Sequence, residues 1–201
     1  MKTAFLFDLD GTITKQELLP LIALELFIQE EIQTLTDATL KGVIPFEGSF
    51  KLRVGLLKTV RISRVKEILA SVELNAVVQN FIQKNRENSF IVTGNLDVWV
   101  ESLVEKIGVK AFTSEAEFTG DSLLSIKKIL KKRDAVIEIK NNNFDRVVTI
   151  GESMNDVGMF EMADIGIAYG GVHQPMETII ELSDYIVYHE DALCKLLHTL
   201  L

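Results

Sequence analysis

The chain has 201 residues, a formal net charge of −8, a pI of about 5.0 and a mean hydropathy of +0.21. That length suits one domain, or one domain with a smaller insert, and the 47% apolar content supplies a sizeable core. The acidic balance shows no basic stripe to mark a nucleic-acid partner, no apolar run approaches the ~20 residues of a membrane span, and the single cysteine, Cys194, excludes an internal disulfide framework.

In chain order, the apolar run Ala4–Leu9 reads as a buried strand with Asp8 and Asp10 at its end, followed by Gly11 and Thr12. The next stretch, Thr14–Asn88, carries helical patterns at Glu17–Leu35 and Ser63–Val72 and no convincing strand. From Phe90 onward, strand and helix alternate. Strands are predicted at Phe90–Thr93, Arg146–Gly151, Ile165–Gly170 and Tyr185–Tyr188. Helices are predicted from Leu96 to a stop at Gly108, over Asp156–Asp164 and Met176–Asp184, and at the C-terminus. Cys194 in that last helix reads as a packing residue. Short apolar strands between amphipathic helices imply an α/β fold, with a parallel sheet covered on both faces and a helical insert after the first strand. No basic segment followed by a long apolar run opens the chain, so a cytoplasmic protein is expected.

Polar groups gather where the predicted strands end: Asp8 and Asp10, Thr93, Glu152, and the pair Asn155–Asp156. Ligand sites in open α/β sheets form at that edge. Either aspartate alone reads as a cap or turn residue. Two acids flanking Leu9, with further acids on a later strand end, need another explanation. Carboxylates sharing a cleft repel unless a cation neutralises them, and Mg²⁺ is the hard cation that oxygen ligands suit. His173, His189 and His198 are scattered, so no zinc cluster is indicated. Asp8 and Asp10 would face opposite ways in an ideal strand, so the chain must leave strand geometry after Asp8, which Gly11 permits.

"DLDGT" at Asp8–Thr12, Thr93 at a strand end, a downstream lysine, and "GESMND" at Gly151–Asp156 together resemble the motifs of the haloacid dehalogenase-like (HAD) hydrolases. Glu17, "PFEGSFKLRVGLLK" at Pro45–Lys58, "TGNLD" at Thr93–Asp97 and the stretch Val147–Gly170 resemble that superfamily's phosphoserine phosphatase branch. The resemblance spans essentially the whole chain. It implies a Rossmann-like, doubly wound core over residues 1–13 and 86–201, with a helical cap inserted at 14–85. It also implies a Mg²⁺-dependent phosphomonoesterase acting through an aspartyl-phosphate on a small phosphorylated metabolite, phosphoserine first.

By the same resemblance, Asp8 is the nucleophile and Asp10 the general acid and base. Thr93 and Gly94 hold a phosphoryl oxygen, with Asn95 and Asn155 beside them. The lysine is sought among Lys127, Lys128, Lys131 and Lys132, a run that otherwise reads as a solvated helix face; alignment favours Lys132 over Lys131. Asp8, Asp10, Glu152 and Asp156 form the implied metal set. Glu152 replaces the usual Asp with a side chain longer by about 1.5 Å, leaving direct ligation, ligation through water, or a shift toward Mn²⁺ all open. In the cap, Glu17 and Arg53 match positions for the substrate's amino and carboxylate groups, and Phe46 supplies an apolar wall. Asn95 stands where glycine is common, which keeps a second reading alive: a phosphatase or phosphotransferase for another small phosphate ester. A weakly active binding homologue is the third reading, and retention of both Asp8 and Asp10 argues against it. The oligomeric state is left open.

Overall fold

The computed structural model describes residues 1–201. Strand β1 (Thr3–Phe7) is buried along its whole length, with Phe5 and Phe7 facing one layer of the core and Ala4 and Leu6 the other. Around it lie β2 (Ser89–Leu96), β3 (Ala111–Thr119), β4 (Ser122–Lys128), β5 (Arg146–Gly151), β6 (Ile165–Tyr169) and β7 (Tyr185–Val187). The seven-stranded sheet runs β4-β3-β2-β1-β5-β6-β7, parallel throughout except for the edge strand β4. Chain order reverses at β1, so the C-terminal ends of β1, β2 and β5 open onto one crevice.

Helices cover both faces. On one face lie α5 (Ala76–Lys84), α6 (Asp97–Ile107) and α10 (Glu190–Thr199), whose buried residues join Phe5 and Phe7. On the other lie α7 (Lys132–Lys140), α8 (Val157–Phe160) and α9 (Glu177–Leu182), which meet Ala4, Leu6 and Val92. Between β1 and α5 the chain forms α1 (Leu18–Ala23), α2 (Gln29–Leu40), α3 (Phe46–Leu57) and α4 (Ile62–Ala70). The two connections to these helices run side by side: Thr14 bridges Leu74, Lys15 N–H donates to the Glu73 carbonyl, and Asn75 N–H donates to that of Ile13. α5 lies on the sheet, with the Phe81 ring edge-on to Phe5 and Phe7. No helix is long and apolar enough to cross a membrane.

The alternating α/β pattern and the helical stretch after β1 agree with the sequence reading; several elements differ in detail. β1 stops at Phe7 rather than Leu9, because the Asp8 carboxylate accepts the Leu9 N–H and the chain turns into a tight coil over Leu9–Ile13. The expected helical run Glu17–Leu35 breaks where Phe27 adopts a left-handed conformation (φ 56°). The hairpin β3–β4 was not anticipated, and Lys127 and Lys128 lie on its second strand rather than on a helix face. The helix expected over Asp156–Asp164 shrinks to a short turn at Met154–Asp156 and the single turn of α8.

Candidate active site

The coil after β1 sets the geometry. Gly11 takes φ +72°, and a Cβ placed there would stand 2.8 Å from Glu152 Oε1. Only glycine lets this turn lie so close to the end of β5. Asp8 caps the coil and Asp10 turns away from it, its Oδ1 accepting from Leu18 N–H (2.9 Å) and its Oδ2 from Asn95 Nδ2 (2.6 Å). Asp10 therefore ties the start of α1 to the end of β2.

One cation serves the acids. Lys132, at the first position of α7, donates from Nζ to Asp8 Oδ1 at 2.6 Å and to Asp156 Oδ1 at 2.7 Å, with 1% of its side chain exposed. Lys131, one residue earlier, is exposed. Asp156 is held from behind: its Oδ2 accepts Glu152 N–H, Ser153 N–H and the Ser153 hydroxyl at 2.9–3.1 Å. Glu152 accepts from the Thr12 hydroxyl (3.1 Å) through Oε2, while its buried Oε1 has no hydrogen-bond partner. Carboxylate oxygens of Asp8, Glu152 and Asp156 all lie within 4.8 Å of one another.

These contacts fix the electrostatics. Burial, then the Asp156 charge, pushes the Asp8 carboxyl well above the usual range, with Lys132 opposing. Burial, then Asp8 and Asp156, does the same to Glu152. Burial pulls the Lys132 ammonium down, but Asp156 and Asp8 outweigh it and the net direction is up, so the lysine stays charged. Burial and the Glu17 charge push Asp10 up to about 7. One ammonium bonded to two of three buried carboxylates leaves negative charge uncompensated, and the orphaned Glu152 Oε1 points to where it accumulates. An all-oxygen set of this kind fits a hard divalent cation. The carboxylate of Asp10 is not part of that set.

Above the acids lies a cavity of about 50 Å³, walled by Asp8, Asp10, Glu17, Phe46, Arg53 and Asn95 among others. That is room for a few waters, so the helical insert is seated closely over the sheet. The Phe46 ring stacks on Phe50 and packs directly on Gly94, in the space a Cβ would fill. Thr93 is fully buried, and its Oγ1 accepts from Asn95 N–H and Nδ2 at 3.1–3.2 Å, leaving its own hydroxyl proton free to donate. Arg53 is 5% exposed and donates to the Thr36 hydroxyl (2.9 Å) and the Ser49 carbonyl (3.4 Å), both neutral partners.

Every site residue expected from the sequence thus falls at this crevice, Asn155 included. The sequence reading missed Thr12, Ser153, Thr36 and His173. Thr12 and Ser153 lie inside motifs already noticed, but Thr36 is one polar residue on an amphipathic helix and carries no local signal. His173, set aside as scattered, reaches Glu17 Oε1 from Nε2 at 3.1 Å.

A switch-point crevice holding paired acids, one buried lysine and a helical roof has the layout of an enzyme active site. A family model of the haloacid dehalogenase-like hydrolases matches residues 5–161. The chain belongs to that family and is a phosphoserine phosphatase-like phosphatase within it. It is 27% identical over 183 residues to a phosphoserine phosphatase of Methanocaldococcus jannaschii, covering 84% of this chain and 85% of that one. It is 23% identical over 212 residues to the 2-hydroxy-3-keto-5-methylthiopentenyl-1-phosphate phosphatase of Lysinibacillus sphaericus, covering 94% and 92%. A solved phospho-aspartyl intermediate analogue of phosphoserine phosphatase matches with a TM-score of 0.83 at 25% identity over 98% of each chain. A substrate-bound phosphoserine phosphatase complex has the same TM-score and identity, covering 98% of this chain and 97% of its own.

Proposed function

We propose that the protein is a Mg²⁺-dependent phosphomonoesterase for a small phosphorylated metabolite, phosphoserine in the first instance, working through an aspartyl-phosphate. The observation that carries this reading is the Asp8–Lys132–Asp156 triad beside the partnerless Glu152 Oε1. Asp8 Oδ1 is engaged by Lys132 and the Leu9 N–H, which leaves Oδ2 to attack phosphorus. As the bond from phosphorus to the ester oxygen breaks, Asp10 gives its proton to the departing alkoxide. It then takes a proton from the water that attacks the aspartyl-phosphate, which releases inorganic phosphate and restores Asp8. An Asp10 carboxyl lifted to about 7 suits both directions.

The Thr93 hydroxyl and Gly94 hold a phosphoryl oxygen, and Lys132 holds the nucleophile in place. Asp8 and Glu152 are the residues that would hold the cation, with Asp156 and Asn155 supporting from behind; Mn²⁺ is the alternative ion. When bound, that cation supplies positive charge for the transferring phosphoryl oxygens. Arg53, buried against neutral partners, receives the substrate carboxylate as a bidentate pair, and Glu17 receives its ammonium. Phe46 and Phe50 exclude water.

The test is phosphate release from a panel of phosphomonoesters with Mg²⁺ or Mn²⁺, with Asp8→Asn as control. Release from phosphoserine that vanishes in the variant supports the reading, and no release above the variant on any ester sinks it. The second reading, another small phosphate ester, is favoured by Asn95, whose amide holds Asp10 and thereby shapes the acid's position. Release from other esters but not phosphoserine selects it.

A further inference from the structure

His173 sits in the loop between β6 and α9, a segment anchored at both ends. Gly170 N–H donates to the Val187 carbonyl and Met176 N–H to that of Glu152, while the neighbouring Gln174 side chain donates to the Tyr188 hydroxyl. The imidazole is thereby pressed against the catalytic turn: a Cβ on Gly11 would stand 3.0 Å from His173 Cδ2. From there Nε2 reaches across to Glu17 Oε1, with 31% of the His173 side chain and 11% of the Glu17 side chain exposed. The ionised Glu17 carboxylate can only accept, so the proton of this contact sits on Nε2, in the charged ring and in the neutral Nε2–H tautomer alike. The Glu17 hydrogen bond raises the His173 pKa, which adds charge to the same contact.

Glu17 and Arg53 are the carboxylate and the guanidinium of the cavity wall that stand apart from the reacting acids. A substrate bearing both an ammonium and a carboxylate would use both. Arg53 has only neutral partners and is ready for an anion. Glu17 is not equally ready, because His173 already donates to it. An incoming ammonium must displace the imidazole or share one carboxylate with it, and the pairing it gains is correspondingly weaker.

We infer that His173 is a specificity-determining residue of this site: by occupying Glu17 it lowers the weight given to the substrate's ammonium group and admits phosphorylated carboxylic acids that lack one. The inference rests on the phosphate-ester reading of the same cavity. His173 acts through Glu17 and touches no reacting atom, so it is a positioning residue rather than a catalytic one.

The test compares O-phosphoserine with its des-amino analogue, 3-(phosphonooxy)propanoate. In His173→Ala, the ratio of kcat/KM for phosphoserine over the analogue rises about tenfold, the worth of one charge-assisted hydrogen bond regained by Glu17. The change lies in KM, and kcat is retained. His173→Gln keeps an amide N–H for Glu17 and retains the wild-type ratio. In a Glu17→Gln background, His173→Ala leaves the ratio unchanged. A ratio that stays constant in His173→Ala, or a fall in both substrates alike, overturns the inference. Calorimetric binding of the two esters to Asp8→Asn separates this from the proposed reaction. A ratio of dissociation constants that shifts with His173→Ala, when the chain with Asp8 intact releases no phosphate from either ester, upholds the specificity role and removes the hydrolytic one. Binding of neither ester removes both.

Discussion

Lys132→Met is the sharpest perturbation the site offers, because it removes the one cation paired with the acid cluster while keeping a flexible apolar side chain of similar length. Lys132 bonds Asp8 at 2.6 Å and Asp156 at 2.7 Å, and its side chain is 1% exposed. Breaking a buried pair by deleting one partner costs about 3–5 kcal/mol, since the remaining charges stay in a poorly solvating site. For a chain of this size, each kcal/mol moves Tm by roughly 2–4 °C, so a fall of about 6–20 °C is expected at pH 7.5. The pH dependence follows from the sign of the shifts. Asp8 and Glu152 are already raised by burial and mutual repulsion, and losing Lys132 raises them further. A carboxyl with its folded pKa above its unfolded one binds more protons in the folded state between those two values. Stability therefore falls as pH rises above the ordinary carboxylate range, near 4. At pH 5 the raised acids bind more protons than at pH 7.5, so the deficit is smaller there. The assay is thermal unfolding in chelator at pH 5 and pH 7.5, with the exposed Lys131→Met as control. An equal Tm loss at both pH values would assign the effect to packing, and a loss no larger than the control's would refute the charge argument outright.

Divalent cations should stabilise the fold by about 2.7 kcal/mol at a hundredfold excess over Kd, and should raise Tm more at pH 8 than at pH 6 because protons and metal compete for the same oxygens. Glu152→Gln, which keeps the shape but not the charge, should lose most of that gain; an undiminished Mg²⁺ response would remove Glu152 from the metal site. Gly94→Ala puts a methyl into the space of the Phe46 ring, so it should cost about 1–3 kcal/mol and raise KM. An unchanged KM and Tm would mean that α3 does not seat on β2 as described. With Asp10 lifted to about 7, hydrolysis of alkyl phosphates should decline as pH rises through 7, while aryl phosphates, whose phenolate leaves without a proton, decline much less. Parallel profiles for the two would deny Asp10 the role of acid.

Much of this was legible in the sequence because the signals were local. The apolar runs around Phe5, Val92 and Val148 identify buried strands by composition alone, and a polar residue at each run's end falls on the ligand-binding edge by the topology of a parallel sheet. Asp8, Asp10 and Gly11 share one turn, so their geometry followed from backbone rules. What escaped depends on contacts between distant segments. Lys132 was favoured over Lys131 by the resemblance and not by composition, because its inward turn to Asp8 and Asp156 from the first position of α7 is a contact between distant segments. The hairpin β3–β4 alternates weakly, with Glu115, Glu117, Ser125 and Lys127 on its open side. His173 lies 156 residues from Glu17 in the chain, in a loop without periodicity.

The charge balance of the site also constrains the order in which it is filled. Lys132 is already divided between Asp8 and Asp156, Arg53 stands on the far wall, and Glu17 and Asp10 add further acid to the cavity. A phosphate monoester brings about −1.5 to −2 of charge at neutral pH. Placed beside Asp8 in this low-dielectric crevice, it meets repulsion that Lys132 alone does not offset. Cation and phosphate binding must then be coupled, and the coupling is reciprocal: each strengthens the other by the same factor. Calorimetric titration of the Asp8→Asn chain with phosphoserine, with and without saturating Mg²⁺, measures that factor, and titration with Mg²⁺ at zero and saturating ester measures it again from the other side. Coupling of 1–3 kcal/mol, or about 5–150-fold, is the expected range. Because Asp8→Asn removes one of the repelling charges, the value there is a lower bound for the native site. Where the second titration shows Mg²⁺ bound to the Asp8→Asn chain, ester affinity indifferent to it would show that Lys132 and the backbone donors suffice, and would leave the partnerless oxygen of Glu152 without a purpose in phosphate binding.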